Sequence, residues 1–252
     1  MRNHLSAFLL VVVVGTAGAQ SSSDQLAAGD KDYVALNASS ALSHYEKALS
    51  ADPRNFEALW KASRSAADLG SYAPDESRRT ALFSTAEQYA RRALALNPAN
   101  PEGHFALARA LGKTALEQSP RGRVKYATEI RSHALGCLKL DPNNGGCLHV
   151  MGMWNAEVMR LNGFTRLVAK NLLGGKVFGS ASWNEALSYM QRSAASDPAR
   201  IVHHLDLAGV YRDTHDTAHE RSELEAVLRL PGADFNDHHY KDEAKAELSA
   251  IR

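Results

Sequence analysis

Cysteine is scarce in this protein, with two in 252 residues, so a small disulfide-stapled scaffold is excluded. An excess of charge of either sign is missing too: 29 Lys and Arg stand against 28 Asp and Glu, without the electrostatic footprint that nucleic acid or an anionic membrane surface demands. Long apolar runs are missing except at the start, where Leu5 to Ala19 gives fifteen residues against the roughly twenty that span a hydrocarbon core. Catalytic signatures are missing as well. There is no HExxH, CxxC, GxSxG or GxGxxG, and Gly174, Gly175 and Lys176 lack the spacing and the following Ser or Thr of a phosphate-binding loop. What remains is a globular composition, 44% hydrophobic and 23% charged, long enough for one extended domain or two small ones. No cofactor is implied, and a non-catalytic binding or scaffold protein is the expectation.

The opening run has the layout of a secretory leader. Arg2 and His4 precede Leu5 through Val14, and Ala17, Gly18 and Ala19 supply the small residues of a cleavage site. Residues 1–19 are therefore expected to be a cleaved signal peptide and 20–252 an exported domain, periplasmic or secreted, with no transmembrane segment after cleavage.

A helix-ending phrase recurs along the rest of the sequence: Ala48 to Pro53, Ala93 to Pro98, Cys137 to Pro142 and, more loosely, Ala194 to Pro198. In each, an amphipathic run ends at Asp or Asn before a proline, which disfavours helix in the residue preceding it, and a new helical pattern starts just beyond. Successive prolines lie 45, 44, 56 and, to Pro231, 33 residues apart. The reading is all-α: a right-handed helical solenoid of about five helix pairs plus a terminal helix. Extra length is expected between the two helices of a pair, near 71–79, 114–123 and 161–181, as long inter-helix insertions or as longer helices.

The repeats resemble the tetratricopeptide repeat family. Leu207, Ala208 and Tyr211 stand at that family's Leu, Gly and Tyr positions, Leu148, Met151 and Gly152 fit in the preceding repeat, and Ala41, Tyr45, Ala48 and Pro53, then Ala86, Ala93 and Pro98, match second-helix positions. The second half is more specific. Leu148 to Val158, Phe178-Gly179, Ala181 to Ala186, His203 to Ala208, Leu230-Pro231 and Asp237 to Lys241 resemble the regulator of microtubule dynamics family over about residues 45–250. That resemblance implies an adaptor built on helical repeats, with one subgroup similar to a mitochondrial tether whose repeat domain holds phospholipid. Export, if it occurred, would keep the protein from tubulin.

The first helix of each pair lines the concave face of such a solenoid. Its fifth and ninth positions give Trp60 and Arg64, Phe105 and Arg109, His149 and Met153, then Leu205 and Gly209. Two successive repeats thus carry an aromatic followed by an arginine at i and i+4, on one helix face. An apolar floor with two guanidinium forks suits an extended anionic ligand: an acidic protein or peptide segment, the carboxyl terminus of a polypeptide, or a phospholipid. The alternative is a plain core in which Trp60 and Phe105 fill space and the arginines pair with Glu57, Asp68 or Glu102. The stretch from Arg160 to Gly179 interleaves Leu161, Phe164, Leu167 and Leu172 with basic residues, a pattern for a helix packed across the solenoid or lying on a membrane.

Cys137 and Cys147 occupy small-residue positions of adjacent antiparallel helices, so a bridge and two buried thiols stand as alternatives. His203, His204, His215, His219, His238 and His239 raise a metal-dependent enzyme as a further alternative, although only His215 and His219 have ligand-like spacing and no third ligand is in register.

Overall fold

The computed structural model describes residues 15–161 and 177–251, and every regular element among them is helical. Eleven α-helices follow one another: α1 (Gly15–Val34), α2 (Ala38–Ala51), α3 (Phe56–Ser71), α4 (Glu76–Leu96), α5 (Pro101–Leu116), α6 (Pro120–Leu140), α7 (Gly145–Arg160), α8 (Trp183–Ser196), α9 (Ile201–Asp213), α10 (Thr217–Arg229) and α11 (Asp237–Ala250). They form five antiparallel pairs, α1 with α2 through α9 with α10, and the terminal α11 packs on α10 and α9. The all-α solenoid read from the repeats is the observed architecture.

The recurring phrase builds its turn the same way each time. After α2 the Asp52 N–H donates to the Ala48 carbonyl, and Asn55 starts α3 by accepting the Ala58 N–H on its side chain at 3.0 Å. Asn97 with Asn100, and Asp141 with Asn144, repeat the arrangement. Proline ends one helix, an asparagine oxygen satisfies an orphan N–H of the next, and the turn is short because both events occur within four residues. The fourth copy differs. Arg200 stands where the others have asparagine, and its side chain makes no hydrogen bond to the start of α9.

Alanine sets how closely the layers approach. Ala58, Ala62 and Ala66 of α3 and Ala86, Ala90 and Ala93 of α4 are fully buried, and at Gly152 of α7 a Cβ would stand 2.5 Å from the Met190 side chain of α8. First helices also pack on first helices, α3 on α5 and α5 on α7, so they form an inner layer and the second helices an outer one.

The extra length near 71–79 and 114–123 takes the second of its two expected forms, longer helices: α4 and α6 have 21 residues each, joined to α3 and α5 by short turns. The third site, 161–181, falls mostly outside the described residues. The leader read at 1–19 also lies largely outside them, and its cleavage point between Ala19 and Gln20 falls within α1.

The C-terminal segment supplies what periodicity could not. After α10 the backbone crosses to α3, where the Asn236 side-chain amide donates to the Asp68 carbonyl at 3.0 Å. Tyr72 at the end of α3 stacks on His239 of α11, with ring centroids 4.0 Å apart, and donates to Glu243 at 2.6 Å. The inner layer is thereby bridged from its last repeat back to its second.

Candidate functional site

The inner helices and this bridge line an open cavity of about 670 Å³, within the roughly 300–1,000 Å³ range of small-molecule sites. Trp60 and Arg64 from α3, Phe105 and Arg109 from α5, and His149 and Met153 from α7 all line it. The equivalent α9 pair does not: Leu205 is packed in the core with Ile201 and Leu224, and the α9 lining is Val202, His203 and Asp206.

One wall is apolar. Val124, Ile130, Val158 and Phe178 pack with Trp154, whose indole N–H is taken up by the Ala127 carbonyl at 2.7 Å, and Leu116 adds to the same lining. Gly146 belongs to this region for a steric reason: a Cβ there would collide with the Phe105 ring, so glycine lets the ring lie against the α7 backbone.

The other wall carries charge, and its two arginines differ. Arg109 is held by Asp68, which is 5% exposed and also accepts the Tyr33 hydroxyl at 2.9 Å. Burial opposes the Arg109 charge, yet the Asp68 carboxylate beside it keeps its pKa above the ordinary value. Arg64 has no carboxylate within salt-bridge distance among the described residues. Its guanidinium lies 3.5 Å from the Tyr33 ring centroid and 5.1 Å from that of Trp60, and both its Nε and the Trp60 Nε1 are buried without a hydrogen-bond partner. Arg109 thus follows the plain-core alternative and Arg64 does not.

Further groups complete this wall. Lys113, one turn beyond Arg109 on α5, lines the cavity; its i+4 register was legible in the sequence. Arg200, released from capping, pairs with Asp234 of the bridge at 2.8 Å. His149 Nε2 lies 2.8 Å from the Asp206 carboxylate, which is held below its ordinary pKa because this contact outweighs its burial. Asn236 and Tyr240 come from the bridge; Tyr240 lies in a segment that carried the family resemblance, but nothing in the sequence placed either residue at the cavity.

His203 is 4% exposed, and its Nδ1 is buried without a partner. Burial, reinforced by the nearby His149 and Arg200, pushes its imidazole down to about 2 from 6.5. Below pH 6.5 the unfolded protein takes up a proton here that the folded protein refuses, so stability falls as pH falls through this window. Between pH 7 and pH 5 the loss is about 2 kcal/mol. Urea unfolding at both pH values should show His203→Gln shrinking the wild-type pH difference by that amount; an undiminished difference would refute the assignment.

The histidines considered for a metal are dispersed. His204 contacts Glu223, His219 stacks on Tyr211, and His238 and His239 lie together beside Tyr72. Among the described residues no group of three or more His, Cys, Asp or Glu is placed to hold a metal ion. The Sγ atoms of Cys137 and Cys147 are joined, with Cα atoms 6.3 Å apart, which ties α6 to α7 beside the cavity-lining Gly145 and Gly146. The basic stretch after Leu161 lies outside the described residues up to 176.

A family model for regulator of microtubule dynamics proteins 1–3 matches residues 21–252. The chain belongs to that family. Regulator of microtubule dynamics protein 1 of Bos taurus is 27% identical over 154 residues, 61% of this chain and 48% of the relative, and its Pongo abelii counterpart 26% over 188 residues, 74% and 58%. The chain spans about half the length of the curated relatives it matches. Among solved structures, a thermophilic tetratricopeptide protein of Thermus thermophilus superposes with a TM-score of 0.64 at 18% identity, covering 89% of this chain and 99% of its own. Pseudomonas aeruginosa pilF gives 0.54 at 13% identity, covering 94% of each chain. At these identities the structures show the fold alone, and that fold is the tetratricopeptide solenoid.

Membership of the family corrects the expected address. Its members are named for acting on microtubule dynamics, and microtubules are polymers of the cell interior, so the periplasmic or secreted destination is withdrawn. The apolar run that suggested it satisfies a composition rule that many N-terminal segments meet. No helix among the described residues is long and apolar enough to cross a membrane.

Proposed function

We propose that this helical-repeat scaffold is a non-catalytic binding protein whose cavity holds an anionic amphiphile, with phospholipid as the ligand class. One observation carries the reading: a single cavity combines an apolar wall with Arg64, a guanidinium with no carboxylate in salt-bridge distance among the described residues. A phosphate or carboxylate on the Arg64 guanidinium would give it the anionic partner it lacks, while an apolar body covers Leu116, Val124 and Ile130. An extended peptide requires a groove open along its length, and the Asn236 bridge to Asp68 crosses this one. A peptide or protein partner in the groove is therefore the second reading, favoured only by the scaffold fold. The Cys137–Cys147 bond is proposed to brace the wall at Gly145 and Gly146; a non-reduced, denatured sample that takes up no alkylating label supports it.

Native mass spectrometry of the full protein, as purified and after incubation with phosphatidic acid vesicles, tests the function. Added mass that matches a phospholipid and is lost on denaturation is the expected result. Arg64→Gln should weaken uptake by about tenfold or more, the worth of one charged hydrogen bond. A bare mass in both samples would overturn the reading and return the peptide partner to the front.

A further inference from the structure

We propose that Lys113 is an amine nucleophile that captures apolar aldehydes entering the cavity as a Schiff base. This rests on the cavity reading above and adds a chemical step to it.

Lys113 follows Arg109 by one helical turn and lines the same cavity, between the charged wall and Leu116. Arg109 is already committed to Asp68. Lys113 has neither an ion pair nor a hydrogen bond among the described residues, although Arg109, Asp206, Asp68 and Glu243 all act on it through space. Gly112 beside it leaves open space, since a Cβ there would meet nothing within 4 Å. An amine in that position lines the cavity, is partly buried, and is held by no partner among the described residues.

Burial, and then the Arg109 charge, lower the Lys113 pKa from its ordinary value, which raises the share of neutral, nucleophilic amine near neutral pH. Desolvation beside a second cation is a recognised way to activate a lysine toward carbonyl compounds. In the step, the Nζ lone pair adds to the aldehyde carbon and the carbonyl π pair moves to oxygen, which takes a proton. The carbinolamine then expels that oxygen as water and the nitrogen loses its proton, leaving a C=N bond. One aldehyde and one amine give one imine and one water, and nothing is oxidised or reduced.

The test is to incubate the full protein with one equivalent of decanal and sodium cyanoborohydride, which fixes the imine, and to map the labelled lysines by peptide mass spectrometry. Lys113 should label at least about tenfold faster than the exposed Lys47, Lys125 and Lys139, the advantage expected of a desolvated amine beside a bound carbonyl. Lys113→Arg should remove that fast label and leave the circular dichroism and the slow surface labelling unchanged. Equal labelling of all lysines, or an unchanged fast phase in the variant, would overturn the proposal. The anionic apolar dye 1-anilinonaphthalene-8-sulfonate separates the two failures. Dye bound at one site per molecule with no preferred label sinks the chemistry alone, and no bound dye with no preferred label sinks the cavity reading as well.

Discussion

Gly112→Leu should weaken amphiphile uptake by about a hundredfold while leaving the fold at least as stable as before. The position lies in the interior of α5 and lines the cavity, and a Cβ built there meets nothing within 4 Å. A leucine side chain therefore projects into the space the ligand would occupy. Exchanging glycine for a good helix former within a helix contributes roughly 0.5–1 kcal/mol through the unfolded state, so Tm should hold or rise. Losing the apolar half of the site should weaken phosphatidic acid binding by about a hundredfold, or some 2.7 kcal/mol. Native mass spectrometry and thermal unfolding on the same sample read both effects. A stable variant that binds as well as the wild type would put the ligand outside this cavity.

Asp68→Ala should be the most damaging single change at the site. The carboxylate is 5% exposed, accepts from Tyr33 and Arg109, and its removal leaves the Arg109 guanidinium buried with no counter-charge. Breaking a buried pair from one side costs about 3–5 kcal/mol, whereas replacing both partners with apolar groups costs far less. Urea unfolding should therefore show a large loss for Asp68→Ala and a substantial recovery in the double variant Asp68→Ala, Arg109→Met. The alanine variant would also loosen the bridge, because the Asp68 backbone that holds Asn236 depends on the same packing. A loss below about 1 kcal/mol would show that water screens this pair.

How much of this was legible in the sequence depends on the range of the interaction. Pro53, Pro98 and Pro142, with the asparagines that follow them, mark helix ends because their effects are spent within a few residues, and the observed caps fall on Asn55, Asn100 and Asn144. Trp60, Arg64, Phe105, Arg109, His149 and Met153 share the cavity because i, i+4 spacing places them on the inner face of successive helices. Arg200 stands where the other turns have a capping asparagine, and the structure gives it another partner, Asp234. The expected export failed because an apolar run after a basic residue reports composition, while the address of a protein is a property of its family and cell.

The sequence by itself determined an all-helical protein of about five pairs, the ends of α2, α4 and α6, and the cavity-facing side chains of α3, α5 and α7, since these follow from hydrogen bonds and periodicities closed within a turn or two. Only the tertiary structure decided which cations remain available and that the groove is crossed. Asp68 meets Tyr33 across 35 residues, Arg109 across 41 and Asn236 across 168. Contacts at that range depend on the rotation accumulated from one repeat to the next, and no local pattern of residues encodes that sum.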